Sequence, residues 1–304
     1  MSATEEFGPE LVQKAISGTR IPPQEHKFKG YEGVELVCWI SGSGPLVIAH
    51  SPGWGVGYEY LKKYFTPLTE KYTFLAINSR GTPPSAIPDA SKMGSATMAE
   101  DLEALRIFLK LEKMTLMGHS NGAAVVQAYA VKYPTRVEKL LLLCAQLIGF
   151  TTSDDVRKKF LEARKDHPVY KEAIPGMAKA YAATTDAELT AGLAQLMPFY
   201  FADPECAASK EWKENVANGN VSLWAWKSQK KIDDATPMPD LGAVKAKTLI
   251  VLCDEDPVCT ELWANKIHEL ISGSKLVVMK NSGHMPWHEA TEEFWKTLFE
   301  FVDA

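Results

Sequence analysis

Cysteine is scarce in this 304-residue chain, and its spacing argues against the sites that paired cysteines build. The five cysteines are odd in number and scattered: they are Cys38, Cys144, Cys206, Cys253 and Cys259. None forms a Cys-x-x-Cys pair, so neither a disulfide framework nor a zinc site is indicated. The sequence also lacks any other His, Cys and Asp cluster at ligand spacing. We therefore expect no metal and no cofactor.

The chain also lacks an excess of basic residues and any long apolar run. Its formal net charge of −5 provides no basic surface, so we expect no nucleic-acid partner. No apolar run approaches the roughly 20 residues of a membrane span, and the first residues lack the pattern of a secretory signal. We therefore expect a cytoplasmic protein without a membrane partner. Its expected partner is a small-molecule substrate, and a homodimer is a possible assembly.

The motif that organises the chain is Gly118-His-Ser-Asn-Gly122. An apolar, strand-like run at residues 114–117 precedes it, and helix-forming residues 123–133 follow it. Glycines two residues on either side of Ser120 permit a very tight turn, because side chains there would clash with neighbouring backbone. Such a turn exposes the serine hydroxyl at a helix N-terminus. This arrangement is typical of a nucleophile elbow.

Strand-like and helix-like segments alternate through most of the chain, which predicts an α/β fold. A predicted antiparallel hairpin at residues 26–40 is followed by short apolar runs, as expected of strands buried on both faces. These runs are residues 46–49, 73–78, 114–117, 139–145, 247–253 and 275–280. The helices predicted among them include residues 58–71, 95–109, 260–271 and 291–302. We therefore predict a mostly parallel sheet flanked by helices on both faces.

The alternation breaks after the sixth predicted strand. Residues 146–245 contain helical segments and no convincing strand. These segments are residues 153–165, 171–182, 187–197 and 206–218. We predict that residues 146–245 form a helical cap over the C-terminal edge of the sheet. Residues 1–145 and 246–304 would then form the core domain.

A serine nucleophile needs a base, and that base needs an acid. The acid is sought in the loop after the strand at 247–253, where Asp256 is preferred because it precedes Pro257 at the turn; Asp254 is the alternative. The base is sought after the last strand, where His284 follows a glycine in a loop. His288 is the alternative, and it is expected to start the last helix. Strand C-termini converge on one edge of a parallel sheet, so these loops can meet at Ser120.

The chain order of serine, acid and histidine resembles that of the α/β-hydrolases. The elbow and the loops that follow His50, Asn78 and the last two strands look like that superfamily's landmarks. Three stretches further resemble the proline-iminopeptidase-like branch, at residues 52–61, 79–85 and 196–204. That branch includes enzymes that cleave esters and lactones. The resemblance implies a serine hydrolase with a triad of Ser120, Asp256 and His284.

Acyl transfer passes through a tetrahedral oxyanion, which needs hydrogen-bond donors already in place. The backbone N–H of Asn121 is the first expected donor, because it follows the nucleophile. The resemblance places the second in the loop after His50, where the family's usual His-Gly-Gly-Pro-Gly is replaced by His-Ser-Pro-Gly-Trp. Pro52 has no N–H, so the donor shifts to Gly53 or Trp54. We favour Trp54.

The residues around these loops predict an apolar substrate pocket. The expected pocket residues are Trp54, His119, Phe199 and Trp287. An aminopeptidase would also need cap carboxylates for the substrate ammonium, and no pairing is visible among Glu162, Glu172, Glu188 and Glu205. We therefore predict hydrolysis of an ester or lactone through an acyl-enzyme. An aminopeptidase is the first alternative, and a lyase or ligand-binding protein of the same fold is the next.

Overall fold

The computed structural model of the chain describes residues 7–151 and 155–304. Its centre is a sheet of eight strands in the order β1-β2-β4-β3-β5-β6-β7-β8. The strands are β1 (Ile21–Lys29), β2 (Glu35–Gly42), β3 (Leu46–His50), β4 (Thr73–Ile77), β5 (Met114–His119), β6 (Val137–Leu143), β7 (Lys247–Cys253) and β8 (Lys275–Met279). β2 pairs antiparallel with β1 and β4, and all other neighbours are parallel. The predicted mostly parallel sheet is confirmed.

Helices cover both faces of the sheet. Those before β6 are α1 (Pro9–Ile16), α2 (Glu59–Tyr64), α3 (Ser95–Phe108) and α4 (Asn121–Lys132). Those after β7 are α11 (Glu261–Leu270), α12 (Pro286–Glu289) and α13 (Thr291–Asp303). The leucines of β6 show why the strands are apolar throughout: Leu140 and Leu142 belong to one buried core, whereas Leu141 and Leu143 belong to the core on the other face.

A run of helices lies between β6 and β7, as predicted. They are α5 (Asp155–Arg164), α6 (Pro168–Ala173), α7 (Pro175–Ala182), α8 (Asp186–Leu196), α9 (Ala207–Ala217) and α10 (Leu223–Asp233). We call residues 146–245 the cap segment. Residues 153 and 154, the first two of the predicted helix 153–165, lie outside the described residues.

Two predicted helices differ from the structure, and one observed helix has no predicted counterpart. The helix predicted at 58–71 ends at Tyr64, and a short 3-10 helix, Thr66–Glu70, replaces its second half. Pro67 explains the break, because proline lacks an N–H and its ring clashes with the preceding turn. Pro175 divides the helix predicted at 171–182 in the same way. Helix α10 was not predicted.

Within the described residues, no helix combines the length and the hydropathy needed to cross a membrane.

Candidate active site

Ser120 lies at the turn between β5 and α4 in a backbone conformation that few side chains adopt. Its φ is 56° and its ψ is −125°, and a residue held in this way costs on the order of 1–3 kcal/mol. A Cβ at Gly118 would lie 2.4 Å from the carbonyl oxygen of Gly122, and a Cβ at Gly122 would lie 2.5 Å from that of His50. The two glycines therefore let the backbone approach closely enough to hold Ser120 in this turn.

Asp256 and His284 lie in the loops after β7 and β8, and a hydrogen bond joins them. The Nδ1 of His284 is 2.7 Å from the Oδ2 of Asp256, and both side chains are buried. The Oδ1 of Asp256 accepts hydrogen bonds from the backbone N–H groups of Val258 (2.8 Å) and Cys259 (3.0 Å). Because the carboxylate acts as an acceptor, the imidazole proton is placed on Nδ1. The Nε2 of a neutral His284 then carries a lone pair.

Ser120 and His284 line the same cavity. The structure has no hydrogen bond between the described side chains of Ser120 and His284. In such pairs this bond often forms only when substrate binds. The structure therefore places Ser120 and the hydrogen-bonded pair of His284 and Asp256 at one cavity.

The alternative acid and base have other contacts. The Oδ2 of Asp254 lies 3.4 Å from the Nζ of Lys280. The Nε2 of His288 accepts a hydrogen bond from the indole N–H of Trp212 at 2.9 Å. His288 does not line the cavity that contains Ser120, and it is Asp256, not Asp254, that is hydrogen-bonded to His284. The geometry therefore favours Asp256 and His284 over these two alternatives.

The loop after β3 carries the predicted second oxyanion donor. Gly53, Trp54 and Gly55 all have left-handed backbone conformations, with φ values of 66°, 54° and 74°. The N–H of Trp54 donates a hydrogen bond to the Oε1 of Gln229, a residue of α10, at 2.6 Å. Trp54 was the favoured second donor, yet its N–H already has this partner. Gly53 and Asn121 line the cavity beside Ser120.

The cavity has a volume of about 270 Å³ and is lined by residues of both the sheet edge and the cap segment. Three of the four predicted pocket residues line it: Trp54, His119 and Phe199. Trp287 does not. Its ring packs against the rings of His119 and Phe65, with centroids 4.9 and 5.0 Å apart, because α12 turns it towards the core.

The lining of the cavity is mostly apolar. It includes Val56, Met177, Ala180, Leu193, Leu196, Met197, Trp212, Val221, Trp226 and Trp263. Among the described residues that line it, none is an Asp, Glu, Lys or Arg. The cavity thus combines the candidate nucleophile and base with walls suited to an uncharged, apolar group.

The model of the alpha/beta hydrolase fold family matches residues 44–291. The chain belongs to this family.

Similarity to individual α/β hydrolases is low in sequence and extends over most of each chain. An AB hydrolase superfamily protein, YisY, of Bacillus subtilis (strain 168) is 27% identical over 284 residues, which cover 92% of this chain and 99% of the relative. A proline iminopeptidase of Lactobacillus crispatus (strain ST1) is 26% identical over 290 residues, which cover 91% and 96%. The solved structure of an esterase (EaEST) from Exiguobacterium antarcticum has a TM-score of 0.70 at 24% identity and covers 91% of this chain and 99% of its own. At that identity the structural likeness shows the fold.

The cap segment of this α/β hydrolase contacts the loop that carries His284. The backbone N–H of His284 donates to the carbonyl oxygen of Tyr200 at 2.7 Å. The carboxylate of Glu289 accepts from the N–H groups of Ala202 (2.9 Å), Asp203 (3.0 Å) and Gly283 (2.8 Å). Burial raises the pKa of Glu289 above its usual value, and these three hydrogen bonds offset only part of that rise. The cap segment therefore contacts the backbone of the candidate base directly at His284 and, through Glu289, at Gly283.

His119 contacts the backbone of His284 and the hydroxyl of Tyr60. Burial, together with the nearby His284, lowers the pKa of His119 well below its usual value, so the ring is neutral. Its Nε2 lies 3.0 Å from the carbonyl oxygen of His284, which can only accept, and its Nδ1 lies 3.1 Å from the hydroxyl of Tyr60. The proton is therefore on Nε2, and Nδ1 accepts from Tyr60. His119 therefore lines the cavity and also contacts the backbone of the candidate base.

One group of side chains has the spacing of metal ligands. Potential ligand atoms of His119, Cys144 and His284 lie within 4.8 Å of one another. Both nitrogens of His119 already have hydrogen-bond partners, and the Nδ1 of His284 is bonded to Asp256. Coordination of a metal would therefore require the breaking of contacts that position the candidate base.

Sequence reasoning missed three polar residues of the site: Tyr60, Gln146 and Gln229. Tyr60 supports His119, and the side chain of Gln146 pairs with that of Asn121 at 2.9 Å. A signal for α10 was present, since Ser222 is the N-cap residue and its hydroxyl accepts from the N–H of Ala225. Nothing in the sequence indicates that Gln229 reaches the loop at Trp54, because 175 positions separate them.

Proposed function

We propose that this α/β hydrolase is a serine hydrolase that cleaves an ester or lactone bond of a small, apolar molecule. The observation that carries the proposal is the cavity shared by Ser120 and His284. Its described lining residues include no carboxylate and no Lys or Arg. Such walls suit a neutral acyl compound and offer no partner for a charged one.

In the proposed reaction, the Nε2 of His284 takes the proton of Ser120 as the serine oxygen bonds to the carbonyl carbon. Asp256 stabilises the resulting imidazolium, and the N–H of Asn121 donates to the oxyanion. The proton then passes to the leaving oxygen as the ester C–O bond breaks, which leaves an acyl-serine. Water attacks that acyl group by the same steps and releases the acid. With a lactone, the released product is a single hydroxy acid.

The second candidate is an aminopeptidase, which the names of similar proteins such as the Lactobacillus crispatus relative favour. This activity would require a carboxylate near Ser120 for the substrate ammonium. The four cap glutamates considered above are all exposed, and none lines the cavity. Glu162 pairs with Lys165, and Glu188 accepts from the N–H of Thr184 at 2.7 Å at the start of α8. These contacts favour the ester or lactone reading.

The test compares the wild type with Ser120→Ala on aryl esters, lactones and a proline anilide. The proposal expects the wild type to turn over esters or lactones and Ser120→Ala to lose activity by a factor on the order of 10⁴ or more. The exposed Ser272→Ala variant is the control and should keep the wild-type rate. Cleavage of the anilide alone would support the aminopeptidase. Ester turnover that survives in Ser120→Ala would contradict the proposed nucleophile.

A further inference from the structure

One face of helix α10 packs against the loop after β3 and the nucleophile elbow. Ser222, at its N-cap, and the helix residues Trp226, Gln229 and Asp233 recur at intervals of three and four residues, which places them on the same side. All four are buried, and Gln229 is completely so. A glutamine without exposed surface needs hydrogen-bond partners for its whole amide.

Gln229 finds these partners on both sides of the site. Its Oε1 accepts the backbone N–H of Trp54 at 2.6 Å. Its Nε2 donates to the Oδ1 of Asn121 at 2.7 Å. The same nitrogen makes longer hydrogen bonds to the Oγ of Ser95 (3.2 Å) and the Oδ2 of Asp233 (3.3 Å). A backbone N–H can only donate, so it fixes which end of the Gln229 amide faces Trp54.

The orientation of the Gln229 amide also determines the orientation of the Asn121 amide. The Oδ1 of Asn121 lies 2.6 Å from the carbonyl oxygen of Pro52, and its Nδ2 lies 3.2 Å from the indole nitrogen of Trp54. A reversed amide would place a donor opposite an acceptor in both contacts. Reversal would, however, turn its NH₂ group towards the NH₂ of Gln229. The Trp54 N–H holds Gln229 in place, so the Oδ1 of Asn121 faces Gln229, at the cost of a 2.6 Å contact between that oxygen and the carbonyl oxygen of Pro52.

The loop at residues 53–55 is shaped to this face of α10. A Cβ at Gly53 would lie 2.5 Å from the Oε1 of Gln229, and a Cβ at Gly55 would lie 2.3 Å from the carbonyl oxygen of Ser222. The N–H of Ser222 donates to the carbonyl oxygen of Gly55 at 3.3 Å. The left-handed conformation of a tryptophan is unfavourable by itself. It persists here because α10 contacts the loop at consecutive residues.

We propose that Gln229 is a positioning residue for the oxyanion hole, which it holds from both sides through Trp54 and Asn121. This inference rests on the proposed function. Pro52 has no N–H and that of Trp54 is bonded to Gln229, so Gly53 is the residue of this loop that supplies the second donor. The cap segment thus sets the geometry in which the oxyanion is stabilised, although Gln229 does not itself line the cavity.

The first test uses Gln229→Met, which keeps the length of the side chain and removes its amide. Loss of donor alignment acts on the transition state, so kcat is expected to fall about 10- to 100-fold while KM stays within about threefold. A trifluoromethyl ketone that adds to Ser120 should bind more weakly by the same factor as kcat/KM falls, whereas the matching methyl ketone should bind as before. Gln195→Met, another cap glutamine that bridges two groups, is the matched control. An unchanged kcat would overturn the inference.

The second test reads the loop without any substrate. In Gln229→Met, backbone hydrogen exchange in the peptide covering residues 50–57 should accelerate at least about tenfold, because Trp54 loses its acceptor. Gln229→Glu should keep the wild-type exchange, since a carboxyl group beside Asp233 is expected to be protonated and to mimic the amide. Equal exchange in Gln229→Met and wild type would overturn the inference. If Ser120→Ala keeps its activity, the proposed function fails, and this measurement still decides the role of Gln229.

Discussion

Asp256 differs from the neighbouring acids in what its oxygens contact. One oxygen accepts two backbone N–H groups and the other faces the ring of His284. Asp254, two residues earlier, has one oxygen near Lys280 and another without a partner. The candidate acid is therefore held in one orientation, as its proposed role requires.

We predict that Asp256→Asn lowers kcat for the ester substrate by a factor on the order of 10⁴, because an amide favours the wrong tautomer of His284. KM should change little, since Asp256 does not line the cavity. Asp254→Asn is the matched control and should keep kcat within about threefold. Steady-state kinetics on both variants make the comparison. A large loss in Asp254→Asn with little loss in Asp256→Asn would reverse the assignment of the acid.

At the residue scale, the sequence predicts groups whose role follows from local spacing. The glycines around Ser120 and the proline after Asp256 lie within a few positions of the residues they shape, so Ser120, Asp256 and His284 could be proposed directly. Gln229 and Trp287 depend on how distant segments pack. Trp287 is adjacent to the His284 loop in sequence, yet the start of α12 directs its ring away from the cavity.

Among the elements, the cap segment and the sheet edge are joined through backbone groups. Glu289 of α12 accepts N–H groups from residues 202, 203 and 283, and the last of these precedes the candidate base. A single carboxylate therefore links the cap segment to the loop after β8. Loss of this link should disturb both stability and the placement of His284.

We predict that Glu289→Ala lowers the free energy of unfolding by about 2–4 kcal/mol, because three N–H groups, two of them partly buried, lose their acceptor. It should also lower kcat by about tenfold or more, since a displaced base reacts less well. Urea unfolding and ester kinetics measure the two effects. Glu300→Ala, on the exposed side of α13, should change the free energy of unfolding by less than about 0.5 kcal/mol. Equal effects of the two substitutions would contradict the link.

Strands were predicted more fully than helices because each buried strand is a short apolar run whose signal is local. The helix at 58–71 was overextended: its apolar pattern continues past Phe65, but Pro67 prevents the regular hydrogen bonds. Helix α10 was missed because its sequence, Leu223-Trp-Ala-Trp-Lys-Ser-Gln-Lys-Lys, mixes aromatic and basic residues. Its contacts with the rest of the protein determine which face is buried.

Across the whole molecule, one buried ion pair joins segments that are distant in sequence. Arg80 donates to both oxygens of Asp101, at 2.6 and 2.7 Å, and both side chains are fully buried. Arg80 also donates to the carbonyl oxygens of Tyr31 and Lys92. The pair therefore ties the turn after β1 and the loop after β4 to α3.

We predict that Asp101→Asn lowers the free energy of unfolding by about 3–5 kcal/mol, because it leaves the Arg80 charge buried without a counter-charge. Glu35→Gln removes the acid of an exposed pair with Lys27 and should cost less than about 1 kcal/mol. Urea unfolding of both variants, with equal m-values, provides the measurement. A loss for Asp101→Asn no larger than that for Glu35→Gln would show that the buried charge is compensated elsewhere.

The tryptophans that line the cavity should make ligand binding detectable by fluorescence. Four of the eight tryptophans, Trp54, Trp212, Trp226 and Trp263, line it. A ligand that displaces solvent from their indole rings should shift or quench their emission. A library of unlabelled compounds can therefore be screened by titration, with tryptophan emission as the signal of binding. The same signal should persist in Ser120→Ala, where a bound ester would remain intact long enough to be identified.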